Sequence, residues 1–231
     1  MGKICFVSAG SEKKFYNYLK KIGFKIFKIE PLKVTYESIN KHPDIFIFVT
    51  NKNIIVSPKM YKVLKKNDLF NNYLIKGNSL VKEKYPENIS YNVFQLKEYA
   101  IHNTKYTDSK IKKIVDKKWI DVNQGYSNCS CLRVNDNSFI TSDKGIYEKV
   151  KEYNIDCLLI RPGYINLKGL DYGFIGGTGF RYNNEIIFYG DISKHPDYEK
   201  IKEFINSKGL FIKSFDFYLE DIGSVIKFLD R

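Results

Sequence analysis

Arginine is scarce in this chain: of 38 basic residues only Arg133, Arg161, Arg181 and Arg231 carry a guanidinium, and the rest are lysine. Bidentate clamps on phosphates and base edges favour arginine, so the net charge of +12 does not by itself describe a nucleic-acid reader. Lysine abundant together with Asn, Ile and Tyr is the composition that an AT-rich coding genome produces, and the lysines are spread along the chain rather than gathered in one tract. Two readings of the charge stay open, a solvated basic surface and an attraction to RNA or another polyanion.

Long apolar runs are also missing. None approaches the ~20 residues that span a bilayer, and the stretch Ile4-Cys-Phe-Val7 before Ser8 and Gly10 is too short for a signal peptide. Gly2 alone does not make a lipidation site. A cytoplasmic protein without a membrane partner is expected. Cysteine occurs four times. Cys5 and Cys157 sit in apolar runs, where a thiol behaves as a small hydrophobe. Cys129 and Cys131 form C-x-C, not the C-x-x-C of zinc and redox sites. No disulfide framework and no metal set is predicted. The stretch Gly176-Gly-Thr-Gly179 lacks the Lys-Ser/Thr that completes a P-loop; close backbone approach or a mobile loop is the simpler reading. No cofactor is expected.

Aromatic side chains are plentiful, with 18 Tyr and 17 Phe in 231 residues, which argues against disorder and for sheets. Their arrangement is repetitive. Four segments share an apolar strand, a polar turn, a second strand, a helix and a third strand. The first runs Asp44–Val49, Ile54–Pro58, a helix near Lys59–Lys66 and a strand near Tyr73–Ile75. The second runs Tyr91–Leu96, Ala100–His102, a helix from about Thr107 and Trp119–Val122. The third runs Ser130–Val134, Ser138–Thr141, helix Asp143–Tyr153 and Asp156–Ile160. The fourth runs Tyr172–Gly176, Glu185–Tyr189, helix Asp197–Ser207 and Leu210–Lys213. Asn-rich pairs between the apolar runs suit hairpin turns. Ile201, Phe204 and Ile205 fall on one helical face, and Gly209 suits the left-handed cap that follows.

The two ends complete the pattern. Lys3–Val7, a helix over Glu12–Ile22 and Phe24–Ile29 lack only an opening strand, which Ile222–Phe228 supplies. The expected fold is one α/β domain over residues 1–231, a five-bladed propeller of strand-strand-helix-strand repeats closed by the two termini. A closed ring leaves few exposed sheet edges.

Five such units closed through the termini resemble the guanidino-group-modifying enzyme fold, the penteins. His42-Pro-Asp-Ile-Phe-Ile-Phe48 is similar to the Pro-Asp-x-x-Phe opening of its hydrolases. Tyr172-Gly-Phe-Ile-Gly-Gly177 and Tyr189-Gly-Asp-Ile-Ser-Lys-His-Pro-Asp-Tyr198 resemble an uncharacterised bacterial branch. The resemblance implies binding, hydrolysis or transfer of the guanidino group of an arginine-like small molecule, or a non-catalytic member that binds RNA or a ribonucleoprotein through its basic surface.

The resemblance also implies a C-terminal nucleophilic Cys with a His and carboxylates. Phe215–Ser224 holds no Cys; Ser224 stands near that place. Val49 and Thr50 replace the acidic pair of the first blade, and Asn123-Gln124-Gly125 stands where Glu-Gly-Gly-Asp is expected. The candidates that remain for catalysis are Cys129, as a displaced nucleophile, and His42; a packed thiol is the alternative for Cys129. His195, before a helix with Pro196 and Asp197, suits capping. Polar residues at third-strand ends, Asn78, Asn123, Gln124, Arg161 and Asp216, are expected to converge on the ring centre. Asp171 and Asp221 stand near strand starts. With Asp44, Asp171, Asp216 and Asp221 would make an acidic lining that suits a guanidinium or amine ligand.

Overall fold

The computed structural model describes residues 3–229; Gly2 and Arg231 lie outside them. Five three-stranded sheets form in order along the chain, each with the same internal pairing. The first blade pairs β1 (Lys3–Ser8) in parallel with β2 (Phe24–Ile29). The second joins β3 (Ile47–Val49), β4 (Ile54–Val56) and β5 (Leu74–Lys76). The third joins β6 (Phe94–Gln95), β7 (Tyr99–His102) and β8 (Lys118–Asp121). The fourth joins β9 (Cys131–Arg133), β10 (Ser138–Thr141) and β11 (Asp156–Leu159). The fifth joins β12 (Gly179–Tyr182), β13 (Glu185–Phe188) and β14 (Phe211–Lys213). In each of these last four blades the opening pair is antiparallel and the second pair parallel.

The ring closes through the chain ends. Strand β15 (Ile226–Leu229) pairs antiparallel with β1, Ile4 opposite Phe228 and Phe6 opposite Ile226, and gives the first blade the opening strand it lacked. That strand starts four residues later than the sequence pattern predicts. Between the second and third strands of each blade the chain crosses over by a helix, since a parallel pair cannot be joined by a tight turn. These helices are Lys13–Lys21, Pro58–Leu64, Ser109–Ile114, Lys144–Val150 and Tyr198–Asn206. Ser57, Asp108 and Asp143 accept hydrogen bonds from the free N–H groups at three of their starts. Asn183, with φ +51°, turns the β12–β13 hairpin, as its tolerance of the left-handed region allows.

The core is divided into sectors between neighbouring blades. Phe6, Ile45, Phe46, Ile55 and Tyr91 join the first three blades. Phe94, Ile120, Phe139 and Ile146 join the third and fourth, and Leu132, Ile140, Ile186 and Phe188 the fourth and fifth. Phe15, Phe24, Phe180 and Ile187 seal the fifth against the first. Each such side chain contributes about 1.5–3 kcal/mol on full burial, so every blade is held mainly by its neighbours.

Two features differ from the sequence pattern. The segments read as the beginnings of opening strands are helical turns: Pro43–Phe46, Ser127–Ser130 and the 3-10 turn Ile175–Thr178. Proline in the first turn, as at Pro43, favours that geometry. Tyr172–Gly176 is therefore no strand, and the fifth blade opens at Gly179. The second difference is radial. Opening strands touch one another around the axis, β15 against β3 and β9 against β12, and are largely buried. Third strands are more exposed and lie outermost.

Candidate functional site

The five opening turns lie on one face of the ring, where β3, β6, β9, β12 and β15 begin. They bring together residues distant in sequence: Asp44, Asn92, Asn128, Cys129, Gly177 and Asp221. Asn92 organises the set. Its side-chain carbonyl accepts from the backbone N–H groups of Asn128 (2.8 Å) and Cys129 (3.1 Å), and its amide donates to Cys129 Sγ (3.1 Å) and to the Asp44 carbonyl (3.3 Å). The Cys129 thiol donates to Asp44 Oδ2 at 2.9 Å, and the Asn128 amide reaches the same oxygen at 3.2 Å. Asp44 Oδ1 is buried without a partner.

Asp221 enters from the turn before β15 and accepts from the backbone N–H groups of Phe174 and Gly223, both at 2.9 Å. Its approach depends on glycine. A Cβ at Gly177 would lie 1.8 Å from Asp221 Oδ1, and one at Gly223, where φ is +72°, would lie 2.3 Å from His42 Cβ. The close-approach reading of the glycine stretch is what the backbone does. His42 Nδ1 stands 3.7 Å from Asp221 Oδ1, beyond hydrogen-bond distance, and has no partner.

The side chains of Asp44, Cys129, Asp221 and His42 are all sealed from solvent, and this sets their ionisation. Burial and the charge of Asp221 push Asp44 up to about 7. Burial raises Asp221 to about 6 against the opposing pull of the Phe174 and Gly223 N–H groups. Burial, with the Lys41 charge, lowers His42 to about 3, so its imidazole is neutral at physiological pH. Burial and then the two carboxylates hold the Cys129 thiol well above the ordinary range. Above the set, the Tyr36 and Tyr126 hydroxyls bond to each other at 3.1 Å, and Tyr126 donates to Asn88. The Tyr126 ring packs beside Phe174 and Tyr85.

Four sequence candidates thus meet at the centre: Asp44, Cys129, Asp221 and His42. Cys129 and Cys131 do not share a strand face. Cys129 belongs to the helical turn and points to the centre, while Cys131 begins β9 and packs between the third and fourth blades. The third-strand ends do not converge with them. They reach the same face at the outer radius, because the third strand is the outermost. Asn78 donates to Ser109, and Gln124 bridges to Asp143 beside a cleft lined by Tyr85, Asp121 and Tyr126. Asn123 is exposed. Arg161 clamps the buried Asp197 through Nε (3.1 Å) and Nη2 (3.0 Å) at the rim of another cleft. Asp216 is exposed and paired with Lys14, and Asp171 is exposed. His195 accepts from the Asp197 N–H, a capping contact. Sequence reasoning missed Asn92, Asn128, Tyr36 and Tyr126. The repeat itself held the signal for the first two: they precede β6 and β9 as Asp44 precedes β3.

Among the described residues, no group of three or more His, Cys, Asp or Glu is placed to hold a metal ion, and no helix is long and apolar enough to cross a membrane.

The fold is shared with solved enzymes of low sequence identity. The chain is similar to dimethylarginine dimethylaminohydrolase from Pseudomonas aeruginosa complexed with citrulline, at 8% identity over 94% of this chain and 92% of that one, with a TM-score of 0.60. It is similar to C. jejuni agmatine deiminase with substrate bound, at 14% identity over 97% and 82%, TM-score 0.55. It is also similar to ArgZ, an arginine dihydrolase from cyanobacteria, at 13% identity over 94% of this chain and 37% of that one, TM-score 0.58. No curated protein matches the sequence. The fold is therefore a pentein-like five-bladed α/β propeller shared with these structures, and because residues 6–226 match the family of unknown function DUF6873, the chain belongs to that family.

Proposed function

We propose that the protein binds a small organic cation of the guanidinium or amine type at the ring centre, held by Asp44 and Asp221. One observation carries the reading: two carboxylates are buried at the ring centre with no cationic partner among the described residues, the charge of Asp221 acts on Asp44, and Asp44 Oδ1 is left unpaired. Burying unpaired carboxylates is costly, and they respond by holding protons. A cation that entered would replace those protons and satisfy the free oxygen. The solved enzymes with this fold include ones named for arginine-like compounds, which agrees with the class of ligand.

The site favours binding over covalent chemistry at Cys129. A thiol nucleophile needs to become a thiolate, and here two carboxylates oppose that. Its hydrogen-bond partners among the described residues are Asp44 and Asn92, with no imidazole.

The test is calorimetric titration of arginine, agmatine and methylated arginines at pH 8, with wild type and Asp44→Asn. Saturable binding of one of them, weakened at least tenfold in the variant, supports the proposal. No binding of any, or binding indifferent to Asp44 and Asp221, overturns it.

A further inference from the structure

The opposite end of the ring axis carries the opposite charge. Strands β9 and β12 run from the central turns toward that end, where Arg133 ends β9 and Arg181 is the last residue but one of β12. Thus two of only four arginines in a lysine-rich chain stand side by side on adjacent innermost strands. Both are fixed in the same way: Arg133 Nε donates to the Asn135 carbonyl (3.0 Å) and Arg181 Nε to the Asn183 carbonyl (3.2 Å). Lys227, from the middle of β15, completes the group. Its ammonium donates to the Arg181 carbonyl and lies 5.6 Å from the centre of the Phe180 ring. Lys117 donates to the Leu96 carbonyl and lies within the field of Arg133.

Among the described residues one carboxylate pairs with this group. Asp136 pairs with Arg133 at 2.6 Å, and the nearest acid on the β12–β13 hairpin, Glu185, accepts from Tyr18 instead. Arg181 and Lys227 have carbonyl partners only, and both Nη groups of Arg181 are free of hydrogen bonds among the described residues. The consequence shows in Lys227, which burial and then the charges of Arg133 and Arg181 lower to about 8. Three half-buried cations pressed together with one carboxylate among them oppose folding, and a bound anion relieves them.

We infer that Arg133, Arg181 and Lys227 form a second site, at the end of the ring axis away from Asp44, for the phosphate group of a small molecule. Guanidinium forks match phosphate oxygens, and Nε anchoring pre-orients each fork so that little side-chain freedom is lost on binding. One open fork at Arg181, a second at Arg133 shared with Asp136, and the point charge of Lys227 suit one compact dianion better than an extended polymer.

The inference is tested by calorimetric titration of inorganic phosphate, pyrophosphate and a phosphate monoester at constant ionic strength, with chloride as the control anion. Saturable binding is expected for at least one of them, weakened tenfold or more in Arg181→Gln and less in Arg181→Lys, which keeps the charge and loses the fork. Lys227→Met is expected to weaken the same titration and to leave the unliganded melting midpoint equal or higher, since it removes a repelled charge. Asp44→Asn leaves phosphate binding unchanged, which separates this site from the central one. The inference is overturned if no phosphate compound binds more tightly than chloride, if both Arg181 variants bind as wild type does, or if only an RNA oligonucleotide binds.

Discussion

The Cys129 thiol donates its hydrogen to Asp44 Oδ2 across 2.9 Å, in a position sealed from solvent. In this pairing the carboxylate stabilises the thiol in its protonated form, and the thiol fills one of the carboxylate's acceptor positions. Sulfur therefore serves here as a neutral donor to a buried acid, with Asn92 fixing its position from the other side.

Native Cys129 is accordingly expected to resist alkylation. With iodoacetamide at pH 8, mass spectrometry should show slow labelling of Cys129 that rises only as denaturant opens the ring. Cys129→Ser should bind the central ligand within about threefold of wild type, because a hydroxyl keeps the donor. Rapid native labelling at Cys129, or loss of ligand binding in the serine variant, would contradict the donor role.

Ligand affinity at the centre should depend on pH. A cation pairs with ionised carboxylates, and Asp44 and Asp221 ionise near 7 and 6. Affinity is expected to rise as pH climbs from 5 to 8 and then level off, with protons released on binding below about pH 7. Calorimetry in buffers of different ionisation enthalpy measures that release directly.

The same raised carboxylate makes a prediction for stability. Asp44 holds its proton in the folded state up to about 7, whereas in the unfolded chain it ionises near 3.8. Between those values the folded state binds the extra proton, so this group's contribution to stability is present at low pH and is lost as pH rises. Asp44→Asn should therefore gain on wild type from pH 4 to pH 7, by an amount on the order of 4 kcal/mol. His42 and His102, lowered to about 3 and about 4, act in the opposite direction in both proteins and cancel in the difference. Urea melts of the two proteins across that range test the slope.

Gly177→Ala should cost about 1–3 kcal/mol, as overpacking at a rigid site does, because its Cβ would press on the Asp221 carboxylate at 1.8 Å. Gly23, which has positive φ but open space around the place a Cβ would take, with nothing within 4 Å, supplies the comparison. Gly23→Ala carries only the left-handed backbone cost of about 1–2 kcal/mol. Chemical denaturation separates the two, and the Gly177 variant alone should also lose ligand affinity.

The blades were legible because each repeat states its strands as apolar runs and its crossover as a helical face. Ile54–Val56, Asp156–Leu159 and the helix Tyr198–Asn206 lie within a residue or two of their expected places. The opening turns were hidden by their own hydrophobicity. Ile45 and Phe46 are buried in a helical turn, and a short apolar run reads the same in a turn as in a strand. Radius was not legible either. Nothing local in Asn78 or Asp216 says that its strand is outermost; that follows only from which strand of each blade meets its neighbours at the axis. Asp44, Cys129, Asp221 and His42 could be singled out by residue type, but their meeting depends on five turns separated by most of the chain.

Closure through β15 has a consequence for biosynthesis. Strand β1 leaves the ribosome before any of the other four blades, and its antiparallel partner, residues 226–229, follows only after all of them. Until then the first blade is a two-stranded piece with an open edge, and Phe6 and Cys5 lack part of their cover. The nascent chain must carry that unpaired edge while the other four blades are made, an interval in which it is open to misassociation. The central acid pair comes into being only when the turn that carries Asp221 meets the one that carries Asp44, so any ligand of this site meets a closed ring or none.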